Sequence, residues 1–210
     1  MMTLYDYAMA PNPRRARIFL AEKGLSYTKI NVDLRAKEQF SPEFMAINPL
    51  STVPVLLSEE GDVLPDNAAI AAYIEALYPQ PCLLGSRPQD KALIATWNWR
   101  AEFEGLMAVA EALRNSAPSM ADRALPGPHA FAQIPALAER GRQRIAIFFD
   151  TLNTRLAAST YLAGEQLSIA DITALVSVDF AKVVACTPLP EQVHLQRWRE
   201  LLQSRPAFSA

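Results

Sequence analysis

A proline set into a strand is the feature that most constrains this chain. The stretch "NPLSTVPVLL" runs from Asn48 to Leu57. Val53, Val55, Leu56 and Leu57 are the apolar, partly β-branched residues of a short core strand. Pro54 has no N–H to give to a ladder, so it must demote or end that strand. The segments on either side indicate what kind of sheet could accept it.

"TLYDYA", Thr3 to Ala8, reads as a first strand, followed by a turn at "MAPNP" and a helix from about Pro13. Gly24 suits the C′ position after that helix. "SYTKINVDL" alternates enough for a second strand, and "SPEFMAINP" reads as a short helix or turn. "TVPVLLSEEGDVLPD" is a hairpin with "EEGD" as its turn, and "DNAAIAAYIEALYP" is a helix capped by Asp66 or Asn67 and closed by Pro79. The order is β-α-β-α-β-β-α. After the Pro-rich connector "PQPCLLGSRPQD" strand signals vanish. Helices are expected at about Gln89–Asn115, Pro135–Ala158, Ile169–Ala185 and Gln192–Ser204. The expected architecture is α/β plus all-α, with domains at 1–80 and 86–210.

This order, with Val-Pro entering the third strand, resembles the thioredoxin-like domain of the glutathione transferases. "INPLSTVPVL" carries the likeness to that family's N-P-x-x-x-V-P-x-L pattern, and "YLAGEQLSIADITAL" resembles its helical domain. The resemblance implies a cis Val53–Pro54 bond, a form that only about 5–6% of X–Pro bonds take. It further implies that the Val53 N–H and C=O face solvent, where they pair with the cysteinyl unit of glutathione as an added strand would. Glutathione would be co-substrate, with a hydrophobic electrophile or a disulfide as second substrate. A homodimer is implied by the same likeness.

A peptide with two carboxylates also needs anion sites, and a helix N-terminus offers N–H groups and a positive dipole end. "PDNAAI" supplies one where the family usually carries Glu-Ser. By resemblance Asp66 takes the γ-glutamyl ammonium and the Asn67 side chain and N–H its carboxylate, while Gln39 donates to the glycyl carboxylate. The family activates the thiol at the end of the first strand or in the turn after it, because the thiolate is the nucleophile. Serine-type members show S-P-x-x-R-x-x-R there, and this chain reads "APNPRRAR", with Ala10 in place of the serine. An anionic Asp6 stands near the position of the tyrosine-type phenol and would disfavour a thiolate. No Cys precedes Cys82, which excludes a mixed disulfide formed from this turn. Asn12 remains, either as thiolate donor or as an ordinary N-cap. Tyr5 and Tyr7 are the alternative donors, with only one of them expected to face the site.

In the helical part, Ser168 and Asp171 have the spacing of a capping box, which is structural rather than catalytic. Trp99, Phe103, Met107 and Ala110 recur at helical spacing. With Met9 they are candidates for a second-substrate wall, against the alternatives of core or dimer contact. Twenty basic and 22 acidic residues leave a formal charge of −2, too small a field to draw nucleic acid or a membrane surface. No metal is expected, since Cys82, Cys186, His129 and His194 lack ligand spacing. A signal sequence and a span of ~18 apolar residues are both missing, so a reduced, cytoplasmic protein is expected. A transferase-fold protein that binds glutathione or a partner without chemistry is the competing reading, and Ala10 favours it.

Overall fold

The computed structural model describes residues 1–210, which divide into two compact units. The N-terminal unit comprises Met1–Pro81 with Leu125–His129 and Ala210; the C-terminal unit comprises Cys82–Ala124 and Ala130–Ser209.

The N-terminal unit has the expected β-α-β-α-β-β-α order: β1 Thr3–Asp6, α1 Pro11–Glu22, β2 Thr28–Asn31, α2 Pro42–Ile47, β3 Val55–Leu57, β4 Val63–Leu64 and α3 Asn67–Leu77. Its sheet runs β2-β1-β3-β4, with β1 parallel to β2 and antiparallel to β3. Alternation along β1 buries Leu4 and Asp6 on one face and leaves Tyr5 half-buried on the other. β3 begins after Pro54, so the missing N–H falls outside the ladder.

Local chemistry sets the boundaries. Gly24 adopts φ 67°, and its N–H bonds to the Ala21 carbonyl while that of Leu25 bonds to Leu20, closing α1 in a Schellman motif. The hairpin turn is tied by Ser58, whose N–H bonds to the Asp62 carbonyl at 2.9 Å and whose hydroxyl accepts from the Asp62 N–H at 2.9 Å. The buried Lys23 ammonium donates to the Tyr78 carbonyl at 2.7 Å and the Pro81 carbonyl at 2.6 Å, and pairs with Glu75. A buried charge needs such partners. They fasten the end of α1 to the chain leaving α3.

The C-terminal unit is helical: α4 Pro88–Arg100, α5 Met107–Arg114, α6 Pro135–Leu156, α7 Ile169–Phe180 and α8 Val193–Gln203. A π-helical stretch, Ala101–Leu106, joins α4 to α5 where one uninterrupted helix was expected. Gly105 lies within it, and a Cβ there would fall 2.5 Å from the Phe148 ring of α6. α7 ends at Phe180, and a 3₁₀ turn, Ala181–Val184, completes the segment expected to be helical to Ala185.

α7 begins at the expected capping box. Asp171 is fully buried, and its carboxylate accepts from the Leu162 N–H, the Ser168 N–H, the Ser168 hydroxyl and the Trp198 indole N–H, all within 2.9–3.1 Å. Burial pushes the Asp171 carboxyl above its ordinary value, against the pull of these donors.

Candidate active site

Strand register fixes where a site can form. Tyr5 sits opposite Val55, and Leu56 opposite Leu64. Carrying each register on by two residues sets Val53 level with Tyr7 and Pro54 level with Asp66. β2 runs parallel to β1, so its chain leaves the sheet at the same end, toward Gln39. The turn into α1, the Val53–Pro54 pair, the start of α3 and the Gln39 turn therefore gather where β1 and β2 finish. Open α/β sheets place ligands at that end.

The loop before Pro54 is built by one amide. Asn48, 1% exposed, donates from Nδ2 to the Thr52 carbonyl at 2.9 Å and accepts at Oδ1 from the Leu50 N–H at 3.1 Å. This explains the Asn of the "INPLST" stretch. The Val53–Pro54 bond is cis, as the resemblance implied. The Val53 N–H and C=O bond to no protein group, although Val53 is buried. Gln39 Oε1 and Ser51 Oγ are buried side-chain atoms also unpartnered by protein, with Ser51 in the left-handed region at φ 54°. Unsatisfied buried polar groups cost about 1–3 kcal/mol each. Left-handed non-glycine backbone adds to that, and such features cluster at ligand sites.

At the start of α3, Asp66 is the N-cap, its Oδ1 accepting from the Ala69 N–H at 2.8 Å. The N–H groups of Asn67 and Ala68 point out of the helix end without a protein acceptor. The Asn67 side chain is engaged within the protein through one of its two N–H donors. Its Nδ2 donates to the Asn12 carbonyl at 3.1 Å.

α1 starts two residues earlier than the sequence indicated, and this changes the meaning of Asn12. Ala10 is the N-cap and supplies no side-chain bond, while Asn12 is the second helical residue. The reading of Asn12 as an N-cap is thereby excluded. Pro11 and Pro13 carry no N–H, so Asn12 offers the sole N–H of the first three helical positions. Asn12 is exposed, and its Oδ1 accepts from Arg15 Nη1 at 3.1 Å.

The expected repulsion by Asp6 is also corrected. Asp6 is buried on the α1 face, where the Arg17 guanidinium pairs with it and also reaches the Ala8 carbonyl at 3.3 Å. A buried carboxylate needs compensating partners, and here the Arg17 guanidinium supplies them. Burial pushes the nearby Tyr27 phenol up, with Arg17 pulling it back and Asp6 adding to the rise. Tyr5 lies in β1 and Tyr7 one residue past its end. Both pack against the cluster of Val32, Phe44, Val53 and Val55.

Met9, in the N-terminal unit, is 70% exposed. In the C-terminal unit Trp99 and Phe103 stack with ring centroids 5.0 Å apart, and the Arg144 guanidinium lies over Phe103. Both rings and Met107 are about half exposed, which rules out the core reading of this stripe. Among the described residues no group of His, Cys, Asp or Glu could hold a metal ion. Sequence reasoning missed the placement of Leu125–His129 in the N-terminal unit, a long-range packing fact without a local pattern.

Comparison with known proteins fits this geometry. Residues 1–76 match the model of the glutathione S-transferase N-terminal domain, and residues 117–206 that of its C-terminal domain. Glutathione S-transferase 2 of Saccharomyces cerevisiae is 34% identical over 209 residues, covering 98% of this chain and 87% of that protein. The crystal structure of Gtt2 from Saccharomyces cerevisiae superimposes with a TM-score of 0.90 at 32% identity, over 99% of this chain and 98% of that one. A probable elongation factor 1-gamma of Arabidopsis thaliana is 31% identical over 200 residues, 90% of this chain but 45% of that protein.

Proposed function

The chain belongs to the glutathione S-transferase family, and from that premise we propose that it binds glutathione at this end of the sheet and activates its thiol with Asn12. The tripeptide lies along Val53, whose free N–H and C=O pair with the cysteinyl unit as a strand edge would. Its γ-glutamyl carboxylate is taken by the Asn67 and Ala68 N–H groups, and its ammonium by Asp66. Gln39 donates to the glycyl carboxylate. The sulfur lies at the start of α1, where the Asn12 N–H, its Nδ2 and the helix dipole favour the anion. The second substrate is a hydrophobic electrophile or a disulfide, for which Met9 is the candidate contact in the N-terminal unit and Trp99, Phe103 and Met107 are those of the C-terminal unit. Residues 1–80 form the glutathione-binding domain and 86–210 the helical domain of a cytoplasmic homodimer with a detoxifying role.

The observation that carries this reading is the unpaired start of α1: one N–H, one exposed amide and no competing cap. The test measures the thiol pKa of bound glutathione by thiolate absorbance. It should lie below the free-thiol value of about 8.5. Asn12→Ala should raise it and slow turnover at neutral pH, with affinity nearly intact, because only the anion is stabilised. An unchanged pKa in the mutant moves the donor elsewhere, Tyr5 first.

A second reading, glutathione or partner binding without chemistry, has two supports. Ala10 brings no hydroxyl, and a relative of similar sequence is named a probable elongation factor 1-gamma. Retention on immobilised glutathione with no lowering of the thiol pKa would favour it.

A further inference from the structure

Resting on the assignment of Asn12 as thiolate donor, we propose that Arg15 is a positioning residue that sets which end of the Asn12 amide meets the sulfur. Arg15 is 4% exposed, and its Nη1 donates to Asn12 Oδ1 at 3.1 Å. A guanidinium has only donors, so the carbonyl end of the amide must face it. The Nδ2 end is thereby turned away from Arg15. The two ends of an amide are nearly alike in shape, and an exposed asparagine without such a partner samples both. An Oδ1 turned toward the sulfur would repel the thiolate, whereas Nδ2 donates to it. The three-residue spacing places Asn12 and Arg15 on one face of α1.

Asn12 is held at a second point. Asn67 Nδ2, from the start of α3, donates to the Asn12 carbonyl at 3.1 Å. One bond fixes the backbone of Asn12 and the other its amide. Arg17 does not share the task, since it is engaged by Asp6 and the Ala8 carbonyl. In the pattern S-P-x-x-R-x-x-R the arginines fall at Arg14 and Arg17, so Arg15 lies outside what the resemblance implies. The charged groups around the thiol position are Arg14 and Arg15 on α1, Arg17 paired with Asp6 of β1, and Asp66 before α3.

The experiment titrates thiolate absorbance of bound glutathione in wild type, Asn12→Ala, Arg15→Leu and the double mutant, with affinity by calorimetry. Arg15→Leu should raise the thiol pKa by about one unit, with a dissociation constant within about threefold of wild type. The double mutant should shift no further than Asn12→Ala alone, because Arg15 acts through the amide. Should Arg15→Leu fail to fold, Arg15→Lys, which keeps the charge, is compared in both backgrounds. A smaller rise with Asn12 present and none without it supports the proposal. Additive shifts overturn it, because Arg15 then acts through its own charge. So does a normal pKa in the Arg15 variants when Asn12→Ala has shifted it, and that result leaves the Asn12 assignment standing. If Asn12→Ala itself shifts nothing, both fall together.

Discussion

The starts of α7 and α1 solve the same problem in opposite ways. A helix begins with backbone donors that have no partner inside it. At α7 the buried Asp171 carboxylate gathers four donors from three residues, Leu162, Ser168 and Trp198. At α1 the cap is Ala10, which offers nothing, and prolines remove two of the first three donors. α7 is closed by protein and is therefore framework. α1 is left with one N–H and one oriented amide, both outward. The start of α3 lies between, with Asp66 capping one donor and two left over. The same helix end is closed or left open according to whether the protein itself supplies the acceptors.

Three substitutions probe that contrast. Asp171→Ala strips the acceptor from four buried donors and should cost about 3 kcal/mol or more of stability, read by urea unfolding. A loss below about 1 kcal/mol would remove α7 as the closed member of the pair. Asp66→Asn keeps a good cap but loses the charge. Stability should hold within about 0.5 kcal/mol, while glutathione affinity falls about tenfold, equivalent to about 1.4 kcal/mol. An unchanged affinity would mean that Asp66 is only a cap. Ala10→Ser gives α1 the cap it lacks, and the Asn12 N–H is the one donor that cap can engage. The variant should gain about 0.5–1 kcal/mol. An unchanged melting temperature would show that the α1 start was never short of an acceptor.

Features encoded locally were legible in the sequence. Pro54 ends the ladder, Asp66 caps α3, Gly24 closes α1, and Ser168 with Asp171 opens α7; each depends on residues within a few positions. The candidate site could be drawn from the sequence as a set of positions but not as bonds. Asn12 could not be placed at the second helical position until the helix start was known to be Pro11 rather than Pro13. The Asn67-to-Asn12 bond spans 55 residues, and no local pattern encodes it. Asp6 and Arg17 face each other only once strand and helix have packed. The π-helical stretch at Ala101–Leu106 answers to the Phe148 ring against Gly105, contact from another helix.

The prolines flanking Asn12 also decide which anions the start of α1 refuses. Phosphate and sulfate spread their charge over several oxygens and are held at helix ends by several N–H groups at once. With Pro11 and Pro13 beside it, Asn12 presents a single backbone donor, enough for one sulfur atom and poor for a tetrahedral oxyanion. A tetrahedral oxyanion therefore finds few donors at this position.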